Sequence, residues 1–412
     1  MQHAGTRGAM RRRRAAGAKL HRMTDTLGGQ EAMLGALRDI GARADARAQE
    51  IREARRLPAD IVEELIDTGV FRTWVPERHG GRGGSAADLF EAIEAVAYHE
   101  ASVGWCVMVG GTTALTSGFL SPQWAQEIYG DPRTVSGGFA GPVGHARPVA
   151  GGLQVSGRWP WGSGTTHCTW IVGGASISAD GEGLAVRSDG LRTPVVFFPR
   201  SDVTLHDTWH TLGLAGTGSV DYEVSGVFVP EGRWAPFPMG EPVVDEPLYR
   251  FTSVGALAAG VAFVSVGIAR RAIDELIALA TVKVPAGAAR PLADRAGIQS
   301  RVIEAEAAWL SARTVLREQV ARCSQEAQED RAISDEARRL LRVAAINATE
   351  RSARAVDIAY NAGGGSSIHD TSVLQRLFRD VHTATQHGAN SPLFMERLGR
   401  MALGVQTDTG IV

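Results

Sequence analysis

The sequence predicts an α+β chain in three parts: a helical N-terminal domain over 24–132, a β domain over 133–245 and a C-terminal helical bundle over 246–412. Three observations carry this. Apolar residues recur at helical spacing on both flanks. Between them the texture changes to short apolar and β-branched runs separated by Gly, Pro, Asp and Ser. The chain has 412 residues, 44% of them hydrophobic and 21% charged, which suits two or three ordinary globular units and excludes a disordered or fibrous chain.

The elements follow in order. Residues 1–23 carry seven basic side chains and no acid, leaving 36 basic against 45 acidic residues in the rest. This start lacks the apolar segment of a secretory signal and reads as a disordered extension ahead of Met23. LPADIVEELIDTGV has Pro58 near its start and Gly69 at its end, a helix start and stop. SAADLFEAIEAVAYHE places Ser85 three residues before Asp88, a capping box, with Leu89, Ile93 and Val96 on one face. GLQVSGRWPW, WIVGGASIS, PVVFFP and VDYEVSGVFVP read as strands. Long helical patterns cover 252–281, 292–325, 333–361 and 371–388, broken at GAARP and NAGGGSS, and four such helices suggest a bundle.

Two runs without charge, Ala101–Gln126 and Phe251–Ala269, approach bilayer-spanning length. The first is rich in Gly, Thr and Ser and the second in Ala, Gly, Ser and Val, which predicts helices buried between other helices, with no membrane partner and an oligomer as the surround. A formal net charge of −2 argues against nucleic acid as a partner. Cys106, Cys168 and Cys323 are odd in number and far apart, so neither a disulfide framework nor a zinc ribbon is expected, and a reducing, cytoplasmic compartment is the default. No dinucleotide fingerprint, phosphate-binding loop, serine-hydrolase elbow or paired-histidine metal motif occurs, so no metal site is expected.

Four segments carry a resemblance: GVFRTWVPERHGGRG, GRWPWGSG, GLAGTGSVDYEVSGVFVP and GGGSSIHDTSVLQRLFRD. In that order and at those separations the chain from about residue 30 resembles the acyl-CoA dehydrogenase superfamily. The resemblance implies an N-terminal helical domain, a central β-barrel and a C-terminal four-helix bundle. Dehydrogenase members place a glutamate base soon after the final Arg-Asp. Here Arg379-Asp380 is followed by VHTATQHGANSP, with His387 in that place and no acid until Glu396. That pattern is similar to the reduced-flavin-dependent branch, the oxygenase halves of two-component monooxygenases. The implied chemistry uses reduced FMN or FAD from a separate flavin reductase, and O2, to form a C4a-hydroperoxide that oxygenates a small aromatic or heteroatom substrate. The alternatives are an acyl-CoA dehydrogenase proper, or a non-catalytic binding protein on the same fold.

The resemblance also implies residue roles. His387 and Ser163 are the catalytic candidates, because an imidazole donates and accepts near neutral pH and a hydroxyl can meet flavin N5 or a peroxide. Trp161, Ser163, Arg290, Gly364, Gly365 and Arg379 are the cofactor candidates, with Arg290 and the glycines reaching a neighbouring subunit's flavin in a homotetramer. Trp159 and Trp161, two apart on an extended segment, are expected to project to similar sides, one backing the flavin and one in the core. His99, Trp105, Phe139 and Trp209 are the residues that could line a small-molecule substrate pocket.

Overall fold

The structure is a computed structural model that describes residues 29–177, 193–238, 240–329, 332–407 and 409. The basic start, including residues 1–23, lies outside the described residues. Six helices come first: α1 over 29–46, α2 Ala48–Ala54, α3 Ala59–Asp67, α4 Ala86–Ala97, α5 Ala101–Ala114 and α6 Pro122–Tyr129. Gly69, just past α3, has φ 74°, the left-handed conformation that ends a helix. At α4 both halves of the capping box form, Ser85 Oγ accepting from Asp88 N and Asp88 from Ser85 N. The first uncharged run becomes α5, buried on nearly every side.

Seven strands follow: β1 Ser136–Val149, β2 Gly152–Gly162, β3 Trp170–Ile177, β4 Thr193–Pro199, β5 Thr204–His206, β6 Val220–Pro230 and β7 Trp234–Phe237. They form one sheet in the order β5-β6-β2-β1-β3-β4-β7, antiparallel except for β1 with β3. The sheet is strongly curled. Tyr222 on β6 reaches over to donate to Val172 O on β3 at 2.5 Å, and Trp159 on β2 stacks on Tyr222 and tilts against Phe198 on β4. Strand β1 is absent from the sequence reading, for a physical reason. Its Gly- and Pro-rich SGGFAGPVGHARPV looks like punctuation, but the small residues are required by crowding: a Cβ on Gly138 would lie 2.1 Å from Val172 O, and one on Gly144 would strike the Trp159 ring. Register shifts at Phe139/Pro142 and Pro142/Gly144 bend the strand.

The remaining chain is helical: α7 Ser253–Val282, α8 Ala296–Gln328, α9 Asp335–Gly363, α10 Val373–Ala384 and α11 Leu393–Ala402. The second uncharged run opens α7, which packs against α4, α5, α8, α9 and α10. Among the described helices α7 alone has the length and apolarity to cross a membrane, and 83% of its most apolar window is buried inside the molecule. The NAGGGSS break ends α9, with Gly364 at φ 57°. Helix α5 contacts α7 of this bundle and β1 of the sheet, so it has a face at the seam between them.

Candidate active site

The site grows from that face of α5. Glu100 caps the helix by accepting from Val103 N at 2.8 Å, which fixes the first turn and, on the next, Trp105. Trp105 is almost fully buried; its Nε1 donates to Ser163 Oγ at 3.1 Å. Ser163 follows the end of β2, in a tight turn where Ser163 N bonds Trp161 O and Gly164 takes φ 74°. On its other side the Trp105 ring meets His387 edge to face, with centroids 5.5 Å apart. His387 sits on the turn after α10 and caps the short helix Gly388–Asn390, its Nδ1 accepting from Ala389 N at 3.1 Å. Three segments distant in sequence thus place a hydroxyl, an indole and an imidazole in line.

Burial, aided by the Arg342 charge, pushes the His387 pKa down to about 4, so the ring is neutral at pH 7. Among the described residues no carboxylate hydrogen-bonds to His387, Trp105 or Ser163. The nearby acids serve the backbone instead. Asp380, buried, accepts from Leu214 N at 2.7 Å, and Arg379 Nη1 donates to Leu212 O at 3.0 Å. The pair therefore pins the turn 212–214, where Leu214 is held at φ 50°. Burial and then the Asp380 charge push Glu100 up to about 7.

Comparison with known proteins decides the family. Residues 29–121 match the acyl-CoA dehydrogenase N-terminal domain and 259–392 the acyl-CoA dehydrogenase C-terminal domain. An indole-3-acetate monooxygenase of Pseudomonas putida is 33% identical over 89% of this chain and 92% of its own. The oxygenase component of an FADH(2)-dependent resorcinol hydroxylase of Rhizobium sp. is 30% identical over 87% and 91%. The crystal structure of 3-HSA hydroxylase from Rhodococcus sp. RHA1 superposes with a TM-score of 0.83 at 27% identity, covering 93% of this chain and 98% of that one. The chain belongs to the flavin-dependent monooxygenase branch of the acyl-CoA dehydrogenase superfamily.

Membership in that branch makes a flavin the group to test against the site, and the residues fit one. Trp161 is 61% exposed, an unusual state for an indole, and Phe139 meets it edge to face at 5.9 Å, so two aromatic rings form an open wall. Ser163, two residues on from Trp161, is buried, and with Trp105 Nε1 and Ser219 Oγ as its partners its Oγ retains a lone pair. A Cβ added at Gly388, next to His387, would meet nothing within 4 Å. A planar, partly apolar group with polar edges suits this set. The expectation that Trp159 and Trp161 project to similar sides is corrected: Trp159 is fully buried and donates to Gly174 O, whereas Trp161 turns outward because its φ of 57° breaks the strand alternation.

The other sequence candidates divide into groups. Trp209 is half-buried and donates through Nε1 to Leu214 O at 3.1 Å, so it braces the turn behind Ser163. Arg379 acts on that same turn. His99 stands apart; it lines a cavity of about 450 Å³ with Tyr98, Arg270, Arg313 and Arg317, on a different face of the helices from Trp105. Arg290 is exposed on the α7–α8 loop, and Gly364 and Gly365 are exposed at the end of α9. Lys283 Nζ donates to Gly363 O at 2.8 Å, which brings this loop and these glycines to one end of the bundle. That end is about 20 Å along α9 from Thr349, where Asn390 docks. Ser219 and Thr217, which the sequence reading did not single out, join Ser163 directly: Ser163 Oγ to Ser219 Oγ is 2.7 Å and Ser219 Oγ to Thr217 Oγ1 is 2.6 Å. Both lie inside GLAGTGSVDYEVSGVFVP, so the signal was two hydroxyls within a segment read as a family motif and not for its side-chain oxygens.

Proposed function

We propose that the chain is the oxygenase component of a two-component monooxygenase, taking reduced FMN or FAD from a separate reductase and passing one atom of O2 to a small aromatic or heteroatom-containing substrate. The observation that carries this is the His387–Trp105–Ser163 line, with an imidazole and no carboxylate at the place where a thioester-oxidising relative needs its base. Relatives that act on indole-3-acetate and on resorcinol support the aromatic class.

When bound, reduced flavin supplies two electrons and activates dioxygen. The chain's own groups bind, orient and exclude water. Trp161 and Phe139 offer the apolar wall, and Trp105 shields the space between Ser163 and His387. Because His387 Nδ1 accepts from Ala389 N, the neutral ring carries its hydrogen on Nε2. His387 is therefore read as a hydrogen-bond donor toward an oxygen in the pocket, rather than as a base. Arg290, Gly364 and Gly365, clustered at the far end of the bundle, suit contact with a neighbouring subunit's cofactor in a homotetramer. The three buried, free cysteines fit a reducing compartment such as the cytoplasm.

The test is a coupled assay with a flavin reductase, NADH and isotopically labelled O2 over a panel of indoles, phenols and aryl acids. One labelled oxygen atom is expected in the product. His387→Ala is expected to lower product yield by about tenfold or more, with hydrogen peroxide released instead. Bleaching of bound oxidised FAD by an acyl-CoA without air would replace this reading with the dehydrogenase one.

A further inference from the structure

Three buried hydroxyls join Trp105 to the Leu214 turn, and both ends of the row have a fixed polarity. At one end the indole Nε1–H of Trp105 can only donate, and it donates to Ser163 Oγ at 3.1 Å. At the other end Leu214 O can only accept. It receives Thr217 Oγ1 at 2.8 Å, Trp209 Nε1 at 3.1 Å and Thr217 N at 3.2 Å. Thr217 has one hydroxyl hydrogen, and it is committed to Leu214 O. The 2.6 Å contact with Ser219 must then be a bond that Thr217 accepts. Ser219 has spent its hydrogen on Thr217, so the 2.7 Å contact with Ser163 must be one that Ser219 accepts. Every hydrogen in the row points from Trp105 toward Leu214. Water cannot relieve the constraint, since Ser163, Ser219 and Thr217 are 8%, 2% and 1% exposed. Ser163 is left with a lone pair and no hydrogen to offer the pocket.

We propose that Ser219 and Thr217 are positioning residues that lock the Ser163 hydroxyl as an acceptor, so that the pocket selects reduced flavin, which carries a hydrogen on N5, over oxidised flavin, which presents a lone pair there. The inference rests on the flavin reading above and on Ser163 meeting N5. For oxidised flavin, Ser163 would have to turn its hydrogen away from Ser219, leaving a buried acceptor unmatched. Losing one such bond is worth about tenfold in relative affinity. The turn that Arg379, Asp380 and Trp209 brace is thus the anchor that gives the row its direction.

The experiment is an anaerobic titration of the full chain with reduced and with oxidised FMN, repeated with FAD, reading the ratio of the two Kd values. Wild type is expected to favour the reduced form. Ser219→Ala frees the Ser163 hydrogen to turn toward N5, and the ratio is expected to fall about tenfold. Thr217→Val removes the acceptor that fixes Ser219, allowing the row to reverse, and is expected to lower the ratio likewise. Thr217→Ser retains the hydroxyl and is expected to retain the ratio. The midpoint potential of bound flavin gives the same quantity independently; a tenfold fall corresponds to a drop of about 30 mV for two electrons. Wild type that prefers reduced flavin, with ratio and potential unmoved in both Ser219→Ala and Thr217→Val, overturns the inference and leaves the oxygenase reading intact. Wild type that binds neither redox form overturns both.

Discussion

Arg342 is the residue whose surroundings least resemble its chemistry. It is fully buried on α9, its Nε, Nη1 and Nη2 have no hydrogen-bond partner among the described residues, and its guanidinium lies 4.4 Å from the Phe394 ring centroid. Burial lowers its pKa to about 10, so it still carries a charge at pH 7, and that charge helps depress His387. A buried, unpaired charge costs several kcal/mol, only partly offset by an aromatic face. Replacing it with an apolar chain of similar length should therefore stabilise the fold while loosening control of the imidazole. Arg342→Met is expected to raise unfolding free energy by about 1–4 kcal/mol in urea. The same variant is expected to move the His387 ring titration upward by NMR. An unchanged His387 titration would show that burial alone sets it. At this scale the sequence was informative about His387 and Ser163, because each occupies a recognisable position in a motif. It was silent on Arg342, since an arginine on an Arg-rich helix reads as a solvated charge.

Helix α5 holds the site together, and its cap is the element most sensitive to pH. Glu100 fixes the first turn through Val103 N, but it is buried beside Asp380 and titrates near 7 rather than its ordinary 4.5. The folded chain keeps a proton that the unfolded chain has released, so this group's contribution is fully present below about pH 4.5 and is lost as pH rises to about 7. Glu100→Gln keeps an acceptor for Val103 N and removes the titration. It is expected to be more stable than the parent at pH 8, by roughly 1–3 kcal/mol, with the difference vanishing near pH 4. Equal stability differences at both pH values would count against the buried carboxylate. The long helices were legible because periodicity and caps are local: α3, α4 and α9 lie within a few residues of where Pro58 and Gly69, Ser85 and the NAGGGSS break put them, and α7 within a residue of its periodic stretch. Strand β1 was not, because what permits its Gly-rich chain is the approach of β3 and Trp159, a contact invisible to local composition. The hydroxyl row was half legible; its members sit in two motifs, but Trp105 and Ser163 are 58 residues apart and only folding gives the row its ends.

Across the whole molecule, the buried surface explains α7 and leaves α8 unexplained. The apolar stretch of α7 is consumed by packing, as its small residues foretold. On α8, however, Ile303, Ala307, Leu310 and Thr314 are exposed at spacings of four, three and four, one continuous helical face. Ile303 is 64% exposed and Leu310 56%, a pattern suited to a subunit contact of the kind the homotetramer proposal requires. The double change Ile303→Glu and Leu310→Glu is expected to lower the mass seen by light scattering to that of a smaller assembly. An unaltered mass would place the subunit contact elsewhere. The uncharged runs foretold the buried interior that α5 and α7 form, but charge-free composition does not say which outer face would meet a neighbouring subunit.

On the proposed reading this chain is built for reduced flavin, with an imidazole where a dehydrogenase keeps its carboxylate. Anaerobic titration of the purified full chain with chemically reduced FMN and FAD, followed by an acyl-CoA added to the oxidised form, tests it most directly. Saturable binding of reduced flavin, weaker binding of oxidised flavin and no bleaching by the thioester are expected. Tight oxidised FAD that an acyl-CoA reduces, or no affinity for reduced flavin at all, would contradict it.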